Sequence, residues 1–566
     1  MKGRPTAVAD SLEITPRVSA SHEALMFPTL TPAQIDEVAR HGALRAVARG
    51  DVLIEVGDTT VPFFVVTTGK VQILRPSLSG ETRVAVHGPG QFTGEANLFL
   101  GRRSLTRAQV TESGEVVELS REALLNLIQT VPDISKILMQ AFIYRRLELF
   151  SHGLGDVVLI GSTHSAATLR MREFLTRNGH PFTYVDLDRD MDTQVLLDRF
   201  HVAVGDIPVL ICCGDAVLRN PSNQQVADAL GFNASIDQSQ IRDVVIIGAG
   251  PAGLAAAVYG ASEGLDVLVI ESHAPGGQAG SSSLIENYFG FPAGIAGHDL
   301  AGRAYAQAQK FGAKIAIARG ATRLACDRAP YAVQTDEGSP VPARAVIIAT
   351  GAEYRKLALE NLAQFEGVGV YYLATPMEAP LCSGEEVIVV GGGNSAGQAA
   401  VFLASSAARV SMFVRGTGLA DTMSRYLIHR IEENPSITVR SQVEIVGLEG
   451  DDHLERVRWK DKRDGSVQTS DIRHVFMMTG AVPNTAWLQR CVVMDDKGFV
   501  KTGPDLSDDD LASAHWPLPR RPHLLETSLP GVFAVGDVRS GNVKRVASAV
   551  GEGSIAIAFV HQVLHQ

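Results

Sequence analysis

Cysteine is scarce and unpatterned in this chain. Its 566 residues include five cysteines, Cys212, Cys213, Cys326, Cys382 and Cys491, with no CxxC pair and no metal-ligand spacing. That excludes a zinc-ribbon or disulfide-scaffold architecture and reads as five reduced thiols, buried or half-buried. Positive charge is not in excess either: 51 Lys plus Arg face 62 Asp plus Glu, a net charge of -11. Nothing in that balance argues for a nucleic-acid partner. No apolar run reads as long enough to cross a bilayer, so no membrane span is expected. Residues 1–24 lack the apolar core of a signal peptide, which predicts a flexible tail and a cytoplasmic protein. The length itself excludes a single core and predicts three to four domains.

What is present centres on Asp243 to Glu271, DVVIIGAGPAGLAAAVYGASEGLDVLVIE. The β-branched run Val244 to Ile247 predicts a strand buried on both faces. Gly248, Gly250 and Gly253 follow it, allowing a tight turn, a close approach of bare backbone to a diphosphate, and close packing of the next helix on the strand. That helix opens with free amide donors and a dipole that favours an anion. Glu271 ends the second predicted strand about twenty residues later, where a carboxylate can accept from ribose hydroxyls. Strand, glycines, helix and acid in register make a complete dinucleotide-binding βαβ fingerprint.

From Phe27 to about Phe150, short alternating strands are broken by Gly57, Gly69, Gly90 and Gly94 and closed by helices, the pattern of a small β-barrel. This segment resembles the cyclic-nucleotide-binding domain. In that family the loop matching Phe92-Thr93-Gly94-Glu95 cradles the cyclic phosphate, and its glutamate, here Glu95, holds the ribose. Counted back from Val110, the position of the phosphate-pairing arginine is Thr106. Arg107 points to the opposite face of its strand, and Arg103 is the residue left to reach the phosphate. The expectation is a barrel kept for packing or dimerisation, with cyclic nucleotide binding doubtful. The closing helix, DISKILMQAFIYRRLELF, has apolar residues at helical spacing, read first as core.

Val157 to about Phe232 reads strand, helix, strand, helix, strand, and resembles the thioredoxin and glutaredoxin fold, including a proline at Ile207-Pro208. The positions of that family's two cysteines hold Ser162 and Ser165, which exclude dithiol exchange there. His164, between them, reads as a surface residue, and a docking or spacer role is expected.

Beyond the first fingerprint come Gly276, Gly277 and Gln278, then Asn287, then Thr350 and Gly351 closing AVIIATG. A second fingerprint follows, with Val387 to Val390 as its strand and Gly391, Gly393, Asn394 and Ala396 at the turn. Near the C-terminus, Gly536 and Asp537 end a strand, and a helix opens at Arg545, Val546 and Ala547. In this order and spacing, Arg242 to Gln566 resembles the thioredoxin-reductase-like flavoproteins. The resemblance implies FAD on the first motif with Glu271, Gln278, Asn287 and Asp537, and a nicotinamide dinucleotide on the second. Where the family has Arg-Gln-Ala, this chain has Arg545-Val546-Ala547, so only backbone donors remain to face the flavin. The acid that would select NADH is absent, since the equivalent position is Val414, and Arg415 beside it favours NADPH over NADH.

The family's Cys-Ala-Thr-Cys motif is replaced: aligned through Ala374-Thr375, Leu373 and Pro376 stand where the cysteines would. The expectation is therefore a multidomain protein with an N-terminal barrel and helices (25–152), an α/β thioredoxin-like domain (155–233), and a Rossmann-like two-dinucleotide-binding flavoprotein. In the last, 241–354 and 480–566 would hold FAD and 355–479 NAD(P)H. It would be an oxidoreductase without a catalytic residue of its own, a homodimer, delivering electrons to a ferredoxin, a flavodoxin, a quinone or oxygen. The alternative is a flavin-bound sensor or scaffold without sustained turnover.

Overall fold

The computed structural model describes residues 25–565 apart from 59–60, 78–79, 95–103, 105, 152–156, 164, 189–205, 213–215, 234–236, 238, 339, 376–377 and 489–490. Glu95, Arg103, His164, Cys213, Pro376 and the second predicted helix of the middle segment lie outside the described residues.

Six strands build the N-terminal sheet: β1 (Ala43–Val47), β2 (Val52–Ile54), β3 (Phe63–Ser77), β4 (Gly80–His87), β5 (Phe92–Thr93) and β6 (Arg107–Leu119). The long β3 pairs antiparallel with β4, β5 and β6, so one strand carries the sheet. Gly57 and Gly90 fall at turns between strands, but Gly69, expected at a reversal, lies inside β3 at an irregularity in its pairing with β6. Gly94 has φ +97°, and a Cβ there would stand 2.3 Å from the Pro62 carbonyl, so both conformation and space demand glycine. The helices Arg121–Thr130 and Pro132–Ser151 turn Leu124, Leu127, Ile134, Leu138 and Phe142 into the core, which accounts for the apolar stripe as packing.

The middle segment forms a four-stranded sheet in the order β10-β9-β7-β8, from β7 (Val158–Gly161), β8 (Thr183–Asp186), β9 (Val209–Cys212) and β10 (Ala216–Arg219). Ile207-Pro208 is cis. One face of this sheet carries a small cluster of its own, Ile160, Val209 and Ile211, and the other shares its core. Leu159, Phe174, Leu175, Leu210 and Phe232 join one continuous cluster with Val244, Ile246, Leu254 and Ile557 of the fold that follows. Each such side chain contributes roughly 1.5–3 kcal/mol on burial. The segment is therefore packed into the molecule.

That next fold is a parallel core of β13-β12-β11-β16, with β27 on β16 and the antiparallel strands β15 and β14 at the far edge. The strands are β11 (Arg242–Ile247), β12 (Val267–Glu271), β13 (Lys314–Ile317), β14 (Ala321–Ala325), β15 (Tyr331–Thr335), β16 (Pro340–Ile348) and β27 (Val532–Ala534). The helices Pro251–Ser262 and Val546–Leu564 cross in backbone contact, since a Cβ on Gly553 would lie 2.1 Å from the Ala252 carbonyl. The second of these corrects the expectation about membrane spans: by length and composition Val546–Leu564 is apolar enough to cross a bilayer. Here its face bearing Ala549, Ala556, Ile557 and Val560 is buried on the sheet.

A second doubly wound domain is inserted through a two-stranded neck, β17 (Ala352–Tyr354) antiparallel to β26 (Ala481–Pro483). Its parallel sheet runs β18-β25-β19-β20-β21, comprising β18 (Val370–Tyr371), β19 (Glu386–Val390), β20 (Arg409–Val414), β21 (Ile437–Ser441) and β25 (His474–Met477). A three-stranded antiparallel sheet of β22 (Val443–Glu449), β23 (Arg456–Asp461) and β24 (Val467–Ser470) covers one face.

Candidate functional site

Both fingerprints fold as their spacing predicts, each at the carboxyl end of a central parallel strand. At the first, Gly248 has φ +103° and a Cβ there would meet the Ala349 carbonyl at 2.4 Å. On Gly253 a Cβ would lie 1.9 Å from the Gly248 carbonyl, so this glycine lets the helix close on the strand. Gly250 is different. Its Cβ direction is open, with only the Gly277 Cα at 3.9 Å, and this is the cradle that a diphosphate requires. The second site repeats the pattern: Gly391 has φ +145° with the Met478 carbonyl 2.4 Å from its Cβ position, Ala396 is fully buried, and Gly393 is open.

Four helices or helical turns begin at these sites without a side-chain cap, at Gly250, Gly276, Gly393 and Arg545. Uncapped amide donors at the mouth of a sheet fit an anionic dinucleotide. Arg545 and Ala547 are exposed, so the opening of the Val546–Leu564 helix is accessible as the flavin assignment needs.

Glu271 is buried, and its carboxylate accepts from the amides of Ala249 at 2.7 Å, His273 at 2.8 Å and Ala274 at 3.2 Å. A carboxylate has about four lone-pair sites, so one remains for a ribose hydroxyl. Gln278 donates to the Ala352 carbonyl at 2.5 Å, tying the glycine turn to the neck. Thr350 and Gly351 are held by Asn484: the Thr350 hydroxyl donates to the Asn484 carbonyl at 2.8 Å, the Asn484 side chain to the Thr350 carbonyl at 3.0 Å, and the Asn484 amide to the Gly351 carbonyl at 3.0 Å. Asp537 is half-buried, and burial raises its pKa against the opposing Lys544 charge. Asn287 stands exposed beside Glu286, whose carboxylate meets Arg430 of the inserted domain at 2.6 Å.

At the second site the Asn394 side chain accepts from the Ser424 amide at 2.8 Å, and the Thr422 hydroxyl donates to the Gly392 carbonyl at 2.7 Å, so the 419–424 loop closes over the turn. Arg415 follows β20 directly, exposed and with no ion-pair partner among the described residues.

Several residues escaped sequence reasoning. Glu552, nearly two helix turns in from the C-terminal helix opening, accepts from the Gly536 amide and from Arg539, both at 2.7 Å, and so fixes the Gly536-Asp537 turn. Tyr354 lies between Ser395 and Asp537, with its pKa raised by burial. Glu378 accepts from both the amide and the hydroxyl of Thr375, and burial raises its pKa. A carboxylate inside an apolar helix or a short loop carries no local pattern, so no motif flags it.

The cysteines bring the main correction. Cys326, just after β14, and Cys491 form a disulfide, with Cα atoms 6.0 Å apart at a sequence separation of 165. The sequence reading of five reduced thiols fails for these two, because only the fold brings the two segments together. The bond lies at the β14 edge, about 14 Å from β11 at the usual strand spacing. Leu373 is half-buried, and Cys382 is buried, its thiol pushed up to about 11 by burial. In the middle segment Ser165 caps the Ala166–Arg177 helix and Ser162 donates to Asp188 at 2.8 Å, so both serines serve as structural hydrogen-bonding groups. In the barrel, Arg107 is engaged by Glu55 at 2.8 Å and Glu81 at 2.5 Å.

Residues 242–553 match the family model of the pyridine nucleotide-disulphide oxidoreductases, and residues 44–131 that of the cyclic nucleotide-binding domain. A thioredoxin reductase of Listeria monocytogenes is 33% identical over 320 residues, 56% of this chain and 92% of that protein. Crystal structures of thioredoxin reductases from Lactococcus lactis and T. acidophilum superpose with TM-scores of 0.51. They share 27% and 28% identity, each covering 57% of this chain and 100% and 99% of theirs.

Proposed function

Because the chain belongs to the pyridine nucleotide-disulphide oxidoreductases and carries an N-terminal cyclic nucleotide-binding domain, we propose that it is an NADPH-dependent FAD oxidoreductase whose acceptor takes electrons without a dithiol relay. The observation that supports this reading is Leu373 at the position where the resemblance would place a redox cysteine, with Cys382 buried and its thiol pushed up to about 11 by burial. The residues present fit both cofactors, through the open Gly250 and Gly393 cradles and the uncapped helix openings. When bound, the nicotinamide supplies a hydride that the flavin accepts and passes on as electrons.

The chain's own groups orient and shield. Gly248, Gly250 and Gly253 with Glu271 would seat the adenosine diphosphate half of FAD, and Asp537, set by Glu552, the ribityl chain. Thr350, Gly351, Gly277 and Gln278 would line the same cleft. Gly391, Gly393, Asn394 and Ala396 would hold the nicotinamide dinucleotide, with Arg415 placed for a 2′-phosphate. The disulfide edge is remote from this path. The acceptor is proposed to be a ferredoxin, a flavodoxin, a quinone or oxygen. Anaerobic reduction of the flavin by NADPH, followed by an acceptor screen with thioredoxin included, tests the proposal. Sustained NADPH oxidation with one of these acceptors and none with thioredoxin is expected. A single reduction that stalls with every acceptor would favour a flavin-bound sensor, and thioredoxin turnover would refute the reading.

A further inference from the structure

The middle segment touches the glycine turn after β12 through two side chains at the end of one helix. Arg177, the last residue of the Ala166–Arg177 helix, donates from Nη2 to the Gly277 carbonyl at 2.8 Å. Its Nη1 meets the Glu173 carboxylate one turn earlier at 3.2 Å, which aims the guanidinium. Asn178, the helix cap, is buried and donates to the His273 carbonyl at 3.2 Å. Phe174, one turn back, sits in the core shared with β11, so the helix end has little freedom to move.

The turn they hold is the one that faces the first fingerprint. Gly276 and Gly277 both adopt positive φ, +104° and +53°, and a Cβ on Gly277 would lie 3.0 Å from the Gly250 Cα. A planar trans peptide points its carbonyl and its amide N–H in opposite directions. Fixing the Gly277 carbonyl from outside therefore fixes the direction of the Gln278 amide, while the Gln278 side chain is anchored to Ala352. Glycines at positive φ have no side chain to restrict them, so the orientation of this peptide depends on such outside contacts. A guanidinium-to-carbonyl hydrogen bond is charge-assisted and among the stronger available.

We propose that Arg177 is a positioning residue for FAD, acting through the Gly277 carbonyl to hold residues 275–278 in their flavin-binding orientation. The inference rests on the FAD assignment above. It makes the middle segment, which lies outside the residues matched to the oxidoreductase family, a working part of the flavin site.

Flavin-stripped full-length protein titrated with FAD, followed by flavin fluorescence and visible circular dichroism, tests this. Arg177→Ala should weaken FAD binding about tenfold, as expected for losing one charge-assisted bond, and alter the dichroism of the bound flavin. Arg177→Lys should recover part of the loss, and added methylguanidinium should restore affinity to Arg177→Ala. Arg172→Ala, whose guanidinium lies over the Tyr184 ring 4.4 Å away, should bind FAD as wild type does. Wild-type affinity in Arg177→Ala, or a loss that methylguanidinium does not restore, overturns the proposal. If Arg177→Ala does not fold, Arg177→Lys and Glu173→Gln carry the test, each expected to bind about threefold more weakly, and wild-type affinity in both refutes it. Wild-type protein that takes up no FAD would instead overturn the assignment on which this rests.

Discussion

Reducing the Cys326–Cys491 disulfide perturbs one bond that encloses the whole inserted domain, and its consequence follows from loop length. A cross-link that closes 165 residues removes, in the chain-entropy picture, about 5 kcal/mol of disorder from the unfolded chain. If the inserted domain stays folded on its β17/β26 neck while the outer fold opens, the effective loop shrinks to residues 326–352 and 483–491, roughly 35 residues, and the figure falls to about 4 kcal/mol. Either value is large against the net stability of roughly 5–15 kcal/mol of an ordinary domain. The assay is urea unfolding followed by tryptophan and flavin fluorescence, with and without a phosphine reductant, and with Cys326→Ser for comparison. Thiol titration in denaturant should show two more thiols after reduction. The transition should move to lower urea by more than about 1 M, taking a slope of a few kcal/mol per molar, and Cys326→Ser should match the reduced wild type. An unchanged thiol count would mean the pair is not bonded. A changed count with an unmoved transition would refute the entropic reasoning. Dithionite titration of the same sample separates roles: two electrons taken up rapidly per FAD, with the disulfide reduced slowly if at all, is the outcome for a structural bond remote from the flavin.

Other expectations are independent of that bond. Gly250→Val should lose FAD while leaving the melting temperature of the flavin-free protein nearly unchanged, because its Cβ points into open space, whereas Gly253→Val, 1.9 Å from the Gly248 carbonyl, should yield little folded protein; retention of flavin by Gly250→Val would refute the cradle. Arg415→Ala should raise KM for NADPH roughly tenfold and leave NADH unchanged, and an equal effect on both would assign the arginine another role. Glu378 has its pKa raised by burial, with the nearby Glu173 charge adding to it. Its favourable contribution is therefore complete below the unfolded value and lost as pH rises through the folded one, so Glu378→Gln should gain more stability at pH 8 than at pH 4.5 in thermal melts. Cyclic AMP should bind weakly by calorimetry and Thr106→Arg should improve it; micromolar binding to the wild type would show that another cation holds the phosphate.

Local pattern was enough for the two fingerprints, because their chemistry is written within about thirty residues: a β-branched strand, glycines at fixed offsets and a helix must fold in one way to avoid clashes such as Gly248 against Ala349. The turns at Gly57 and Gly90 and the helical stripe at Ile134, Leu138 and Phe142 were legible for the same reason, as periods of two and 3.6 report directly on a buried face, whereas Gly69 was read as a reversal and lies inside β3. What depended on long-range closure could not be read. Cys326 and Cys491 are separated by an entire inserted domain, and only the return of the chain through β26 brings them together. Glu552 gains its partners at Gly536 and Arg539 only when the C-terminal helix lies back on the turn that precedes it. Arg177 reads as an ordinary helix-end cation until the middle segment shares its core with β11 and lays that helix against Gly277, 100 residues along the chain. The sequence by itself determined which short segments could grip a dinucleotide, since that needs only local backbone geometry. Tertiary structure decided which distant side chains hold those segments in place, because hydrogen bonds and disulfides depend on distances that chain separation does not encode.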